Sequence, residues 1–484
     1  MGIICFWRAA GQQNSFHLLL NPNLESAILS PYRTDASPAC LALLPSKGFT
    51  MFSRFKLQEH GTDVKTEFLA GFTTFLTMMY IVPVNGFILA DAGLPMGAVV
   101  TATALITILA TFFSGIWGNT PIAMSVGMGL NAYFSYGLVL GMKIPWQTAL
   151  GIVFISGIIF VLLSFTKFRV WIMTSIPMDL RRAISAGIGA FIAFIGFKEM
   201  HMIVANKATF VTLGQFSDPH VMLGAFGLLL TLILYSYRIK GSFILAVAIT
   251  SVVGWVLVPD LKMPTALFSM PASISPIAMH LDIGSALTLS LLPVIVTFLI
   301  TDMFDTLGTL TAVGARADLF QSGSSEDKAL EKTLEADAIA TVGGSLLGVS
   351  TTTSFIESAS GVEAGGRTGL TAVFTAMFFI LTLFMLPLFK AIPEPAILPV
   401  LVAVGVLMFT ELGRMNFKDM DTATAAAAFF AILVMPLTFS ITNGLAAAFV
   451  TYTVVKLAKG EFKDLNLGVL SIAVISLIVF IVHG

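Results

Sequence analysis

Apolar residues run along this chain in long blocks separated by short polar stretches, and from Phe68 the blocks recur at lengths of about 16–24 residues. A helix needs roughly 20 apolar residues to cross a bilayer, and in hydrocarbon only helices or closed barrels satisfy every backbone polar group. The pattern predicts fourteen spans: 68–90, 97–117, 121–140, 147–165, 180–197, 221–237, 242–258, 286–310, 333–349, 351–367, 369–390, 396–411, 422–438 and 442–457. A further stretch, 466–482, is apolar but short, and it either crosses or lies along the surface. The polar linker 259–284 divides the spans into two sevens, 68–258 and 285–457, with 458–484 as a C-terminal segment. Seven is odd, so the second half enters the membrane upside down relative to the first. Inverted repeats of this kind place a transport site at the repeat interface near the midplane.

The third span of each half departs from helical pattern in a matching way. TPIAMS (120–125) precedes GMGLN (127–131), and STTTSF (350–355) precedes IESASG (356–361). A Pro in one and a β-branched polar run in the other predict short extended stretches. Such backbone survives at membrane depth only when buried in protein or lining a cavity. Two of these stretches meeting at the midplane are expected to aim two helix N-termini at one point.

Composition agrees with a polytopic membrane protein. Only 11% of the 484 residues are charged and 56% are hydrophobic, whereas soluble proteins carry roughly 25% charge. A net charge of −1 leaves no basic footprint for nucleic acid. With the N-terminus in the cytoplasm, eighteen of the 26 Lys and Arg fall in inner loops and five in outer loops. That asymmetry supports the orientation and an even number of spans up to Lys463. Residues 1–50 do not share the character of the rest and hold both cysteines, Cys5 and Cys40. They are expected to be an extension upstream of a true start at Met51, or else a disordered tail. Residues 51–67 form a polar cytoplasmic lead-in.

Carboxylates inside spans are expensive and need a reason. Asp302 and Asp305 stand three apart in TDMFDTLGT (301–309), on one helical face. Glu357 opens the helical part of span ten, and Asp337 lies near the start of span nine. Asp337 fits equally a working carboxylate or a structural one that caps a helix or pairs with Arg367 or Lys332. Asp305 fits a residue that orients its neighbour. Asn131 is the main polar side chain of its stretch, suited to a ligand or to bonding a neighbouring helix. Gly129 and Gly127 suit either close packing or backbone approach to a ligand. Phe355 and Phe134 offer stacking faces for a planar ligand. His60, His201, His220 and His280 fall in loops and form no metal pair. Walker, zincin and G-x-S-x-G motifs are absent, so no enzyme activity, metal or cofactor is implied, and transport is passive or ion-coupled.

The strings GTDVKTEFLAGFTTFLTMMYI (61–81), GMGLNAYF (127–134), FDTLGTL (304–310) and TTTSFIESASGVEAGGRTGLTAV (351–373) resemble the adenine/guanine/hypoxanthine permeases. These are the azaguanine-type branch of the second nucleobase:cation symporter family, and the likeness runs from about Gly61 to about Lys459. It implies an all-α, uracil-permease-like fold of fourteen spans in two inverted sevens. Spans 1–4 and 8–11 would form a core domain, and spans 5–7 and 12–14 a gate domain that also dimerises. It implies proton-coupled import of purine bases across the inner membrane by an elevator-like mechanism. By motif, Asp302 and Glu357 correspond to the acids that contact the purine, Asn131 after Gly129 to the span-three site residue, and Asp305 to a neighbouring acid needed for function. The nucleobase–ascorbate branch carries Q/E-N-x-G at span ten; ESASG (357–361) departs from it, favouring purine bases over uracil, xanthine or urate. The rival expectations are an anion carrier of the sulfate-permease type and, further off, a membrane-embedded enzyme using Asp302 and Asp305.

Overall fold

A computed structural model describes residues 53–166, 176–317, 325–415, 418, 420–462 and 465–483. The extension 1–50 and the expected start at Met51 lie outside the described residues. Asp63 opens the first helix by accepting from the Thr66 backbone N–H at 2.8 Å, an N-cap that satisfies one of the orphan donors. The first span is two helices, α1 (Val64–Met78) and α2 (Ile81–Asp91). The break has a cause in Pro83, which has no N–H for the Met79 carbonyl and whose ring crowds it.

Next come α3 (Met96–Gly118), strand β1 (Met124–Val126), α4 (Met128–Ala132) continuing as a π-helix to Gly141, and α5 (Trp146–Ser164). The half closes with α6 (Met178–Glu199), a small hairpin of β2 (Ile203–Asn206) and β3 (Phe210–Leu213), α7 (Pro219–Ser236) and α8 (Ser242–Leu257). The hairpin occupies what the hydropathy pattern marks only as a loop. The second half repeats the order with α9 (Leu292–Ala317), α10 (Ser325–Leu347), strand β4 (Thr352–Ser354) and α11 (Ser358–Glu363). It ends with α12 (Gly369–Phe379), α13 (Pro399–Phe409), α14 (Thr422–Thr438), α15 (Ile441–Ala458) and α16 (Leu467–His483). Among the described residues, eight helices are long and apolar enough to cross a membrane, and shorter apolar helices cover spans 7, 11 and 13. The expected all-α plan of two seven-span halves is the one observed. The stretch 466–482 is helix α16, packed along α15 and touching α9.

The two extended stretches meet. β1 and β4 pair antiparallel, with Met124 opposite Ser354, Ser125 opposite Thr353 and Val126 opposite Thr352. Gly127 N–H to Thr351 C=O (2.9 Å) and Phe355 N–H to Ala123 C=O (3.0 Å) extend the ladder at both ends. All six strand residues are buried, so protein, not lipid, surrounds this non-helical backbone. Helix α11 has only six residues, so its dipole is far smaller than the sequence pattern led one to expect.

Helix packing falls into two groups. α3 packs on α10 and α12, α1 on α11 and α12, and α5 on α9 and α10. α6 packs on α13 and α14, α14 on α15, and α7 on α8 and α13. Each group contains a glycine crossing where backbones touch. A Cβ on Gly115 would stand 2.6 Å from the Gly369 carbonyl oxygen, and one on Gly189 would stand 2.6 Å from that of Gly405. With no side chains to keep the helices apart, dispersion contact replaces the hydrophobic drive that lipid does not supply.

Candidate functional site

A cavity of about 220 Å³ opens where the two groups face each other. Its walls come from α6 (Ile184, Ile188), α9 (Thr301, Phe304, Asp305, Gly308), the turn before α11 (Ile356, Glu357) and α13 (Val404, Met408). Arg181, Glu411 and Arg414 stand among the residues at its rim. Arg182 is tied to Asp179 at 3.1 Å and Arg414 to Glu411 at 3.0 Å. The volume lies below the roughly 300–1,000 Å³ of drug-sized pockets, the scale of one small flat molecule. A second hollow of about 250 Å³, lined by Tyr133, Phe439, Thr442 and Asn443, contains no ionisable group except the tyrosine phenol. The first is therefore the site with chemistry.

Glu357 is held from behind. The Tyr80 hydroxyl, at the break between α1 and α2, donates to its Oε1 at 2.5 Å. Tyr80 is itself fixed, 1% exposed, with its ring edge-on to Phe243 at 5.1 Å. One carboxylate oxygen is thus engaged by Tyr80, and the carboxylate lines the cavity. Asp305 lines the same cavity and makes no hydrogen bond to another of the described residues.

Asp302 departs from expectation. It is 2% exposed and absent from the cavity wall; its Oδ2 accepts from the Thr341 hydroxyl on α10 at 3.0 Å, while Oδ1 has no partner. Positions three apart on a helix differ by about 60° around the axis. That angle is enough to turn Asp305 into the cavity and Asp302 towards α10. Asp337 neither caps a helix nor pairs with Arg367 or Lys332. It is fully buried in the middle of α10, and its Oδ2 accepts from Thr306 at 2.6 Å. Arg367 instead donates to the carbonyls of Val362 and Gly366, and Lys332 lies over the Trp117 ring.

Asn131, Gly129 and Phe355 also stand outside the cavity wall. Asn131 is fully buried and donates through Nδ2 to Asn85 Oδ1 at 2.7 Å, and Asn85 donates onward to Thr103 at 2.7 Å. Asn131 Oδ1 has no partner. A Cβ on Gly129 would stand 2.7 Å from Ile188, so this glycine lets α4 press against the cavity helix α6. Phe355, 5% exposed, is locked into the strand ladder. Four residues escape the sequence reading. Tyr80, Asn85 and Thr341 each hold a candidate residue. Glu67, fully buried, accepts from the backbone N–H of Arg367 and Thr371 (both 2.9 Å) and the Thr371 hydroxyl (2.5 Å), tying α1 to the start of α12. Asn85 stands out as a lone polar residue in an apolar run; Glu67, at the end of the polar lead-in, Tyr80 and Thr341 carry no such mark.

Similarity to known proteins fits this picture. The solved transmembrane domain of the cyanobacterial bicarbonate transporter BicA superimposes with a TM-score of 0.60 at 16% identity, over 79% of this chain and 97% of that one. Murine Slc26a9, an anion transporter, gives 0.56 at 12%, over 93% and 77%. These establish the inverted-repeat fold alone. In sequence, the adenine permease AdeP of Escherichia coli is 39% identical over 88% of this chain and 95% of its own length. The guanine/hypoxanthine permease PbuO of Bacillus subtilis is 38% identical over 85% and 96%. A permease of Methanocaldococcus jannaschii reaches 46% over 88% and 97%. All three carry the name of permease, not of an enzyme. The signature of the Permease family matches residues 65–447, and the chain belongs to that family, a multi-pass membrane protein that groups with the adenine, guanine and hypoxanthine permeases.

Proposed function

We propose that this protein imports purine nucleobases (adenine, guanine or hypoxanthine) together with protons across the cytoplasmic membrane. The observation that carries the reading is the pair of carboxylates, Asp305 and Glu357, on one small cavity in a chain whose relatives are named for these bases. Purines are flat, neutral and rich in N–H donors. A carboxylate is an acceptor of strong, charge-assisted hydrogen bonds, and most so in a dry site. Glu357, pre-set by Tyr80, is the base anchor, with Asp305 the second acceptor. Asp302 and its surroundings bind the coupled proton, and Asn131, Gly129 and Phe355 shape the wall from behind. An anion carrier of the same fold has no use for two carboxylates in its site.

Spans 1–4 and 8–11 act as the moving core and spans 5–7 and 12–14 as the gate and homodimer contact, because the cavity lies between these groups. The N-terminus is cytoplasmic, an orientation supported by the Lys and Arg bias of the loops. One proton per base gains about 2.3 kcal/mol per 100 mV of membrane potential, enough for roughly fortyfold accumulation. The test is uptake of labelled adenine, guanine, hypoxanthine and xanthine by cells lacking their own purine carriers. Uptake of one of the first three, collapsed by a protonophore, is expected. Sulfate or bicarbonate exchange with no purine uptake would establish the anion carrier instead.

A further inference from the structure

The two halves hold their central strands in the same way, with one chemical difference. In the first half, the Thr111 hydroxyl on α3 donates to the Met124 carbonyl (2.8 Å) and accepts from the Met124 N–H (3.0 Å). Four residues earlier, Thr107 bonds the Ser125 hydroxyl at 2.6 Å. In the second half, Thr341 on α10 donates to the Thr352 carbonyl (2.8 Å) and accepts from the Thr352 N–H (3.2 Å). Four residues earlier stands Asp337, which reaches Thr353 through Thr306, whose hydroxyl lies 2.6 Å from Asp337 and 2.8 Å from Thr353. Met124 and Thr352 are alternate residues of the ladder, whose N–H and C=O turn away from the partner strand and need other partners. The first half shows that a threonine meets this need without any charge. The second half adds two carboxylates: Asp302 on Thr341, and Asp337 on Thr306. Each keeps one oxygen with no partner in a fully enclosed place.

We propose that Thr341 is a positioning residue that passes the protonation state of Asp302 to strand β4, and so to the Glu357 turn three residues beyond the strand. The inference rests on the proton-coupled reading above. A hydroxyl has one proton to give. Ionised Asp302 only accepts, so it takes the Thr341 proton and the Thr352 carbonyl goes without. Protonated Asp302 donates its O–H to Thr341 Oγ1, and Thr341 then donates to the Thr352 carbonyl. The proton arrives from water with the base and leaves to water on the other side; no other bond is made or broken. Only the protonated state satisfies Thr341, Thr352 and this side of Asp302 together, which ties a firmly held β4, and hence a fixed Glu357, to the proton-loaded carrier. The ionisable groups that act on Asp302 are Asp305 on its own helix and Asp337 on α10, while Glu357 beyond β4 acts on Asp305. Of the other elements packed on α9, helices α4 and α5 and strand β4 hold no Asp, Glu, Lys, Arg or His, α6 holds Asp179, Arg181, Arg182, Lys198 and Glu199 near its two ends, α11 holds Glu363 at its last position, and Lys456 of α15 is engaged by Asp421 and Glu461.

The experiment uses full-length protein in liposomes and reads the ratio of purine uptake with and without an inward gradient of one pH unit, beside proton-independent base exchange. One proton per base makes a ratio of about ten the parent's expected ceiling. Thr341→Val is expected to bring that ratio to within about twofold of one while exchange keeps at least about a third of its rate. Thr341→Ser, which restores the hydroxyl, and Thr111→Val, which breaks the uncharged counterpart, are expected to keep the parent ratio. A parent-like ratio in Thr341→Val, or equal loss in Thr111→Val, overturns the proposal. If Thr341→Val does not fold, Thr341→Ala, which removes the same hydroxyl with a smaller side chain, carries the same expectation and the same refutation. A parent protein with no gradient response would defeat the proton reading itself, a failure seen before any variant is compared.

Discussion

Glu357→Gln is the substitution for which the structure allows a magnitude. The carboxylate accepts from Tyr80 with one oxygen and lines the cavity. Glutamine keeps the shape, and its carbonyl still accepts from Tyr80. Its amide group then faces the ligand as a donor where the base also presents N–H donors. The loss is one hydrogen bond to a charged acceptor, worth about 1.5–3 kcal/mol, or roughly 10- to 150-fold in Kd. Tyr80→Phe keeps the buried ring against Phe243 and removes only the hydroxyl that orients Glu357, so about fivefold weakening (~1 kcal/mol) is expected. Titration calorimetry of the purified protein with adenine, guanine and hypoxanthine measures both, with thermal melting as the control for folding. A Kd within twofold of the parent for Glu357→Gln, in protein that melts normally, would refute the reasoning.

Other outcomes follow from packing. Gly369→Ala would drive a methyl into the Gly115 carbonyl, costing at least about 1–3 kcal/mol and lowering the melting temperature; Gly413→Ala, with nothing within 4 Å, should be close to neutral. Asn85→Leu leaves the buried Asn131 amide without its partner, a loss of about 1–3 kcal/mol read by melting. Gly308 borders the cavity and a Cβ there meets open space, so Gly308→Phe should abolish base binding while melting stays near the parent value.

How much of this was legible beforehand divides along physical lines. Span number, inversion and the extended stretches of spans 3 and 10 follow from hydropathy and from the rule that lipid tolerates no loose backbone. The pairing of Ser125 with Thr353 confirms that the matched irregularities meet. Helical spacing placed Asp302 and Asp305 on one face but does not resolve a 60° turn, and that turn decides which carboxylate sees the cavity. Asn131 and Phe355 were chosen for chemistry, yet their surroundings depend on residues far away in sequence, such as Asn85 and Ala123. Tyr80 and Thr341 look ordinary in the chain. Their roles come from tertiary contacts with Glu357, 277 residues away, and with Asp302, 39 residues away.

The central claim is that a purine base is held by the cavity-facing carboxylates. A structure of the protein bound to guanine, hypoxanthine or adenine tests it directly. The base is expected in the cavity among α6, α9 and α13, with ring N–H groups within hydrogen-bond distance of Glu357 and Asp305. A base bound elsewhere, or seated there with both carboxylates turned away from it, would contradict the account.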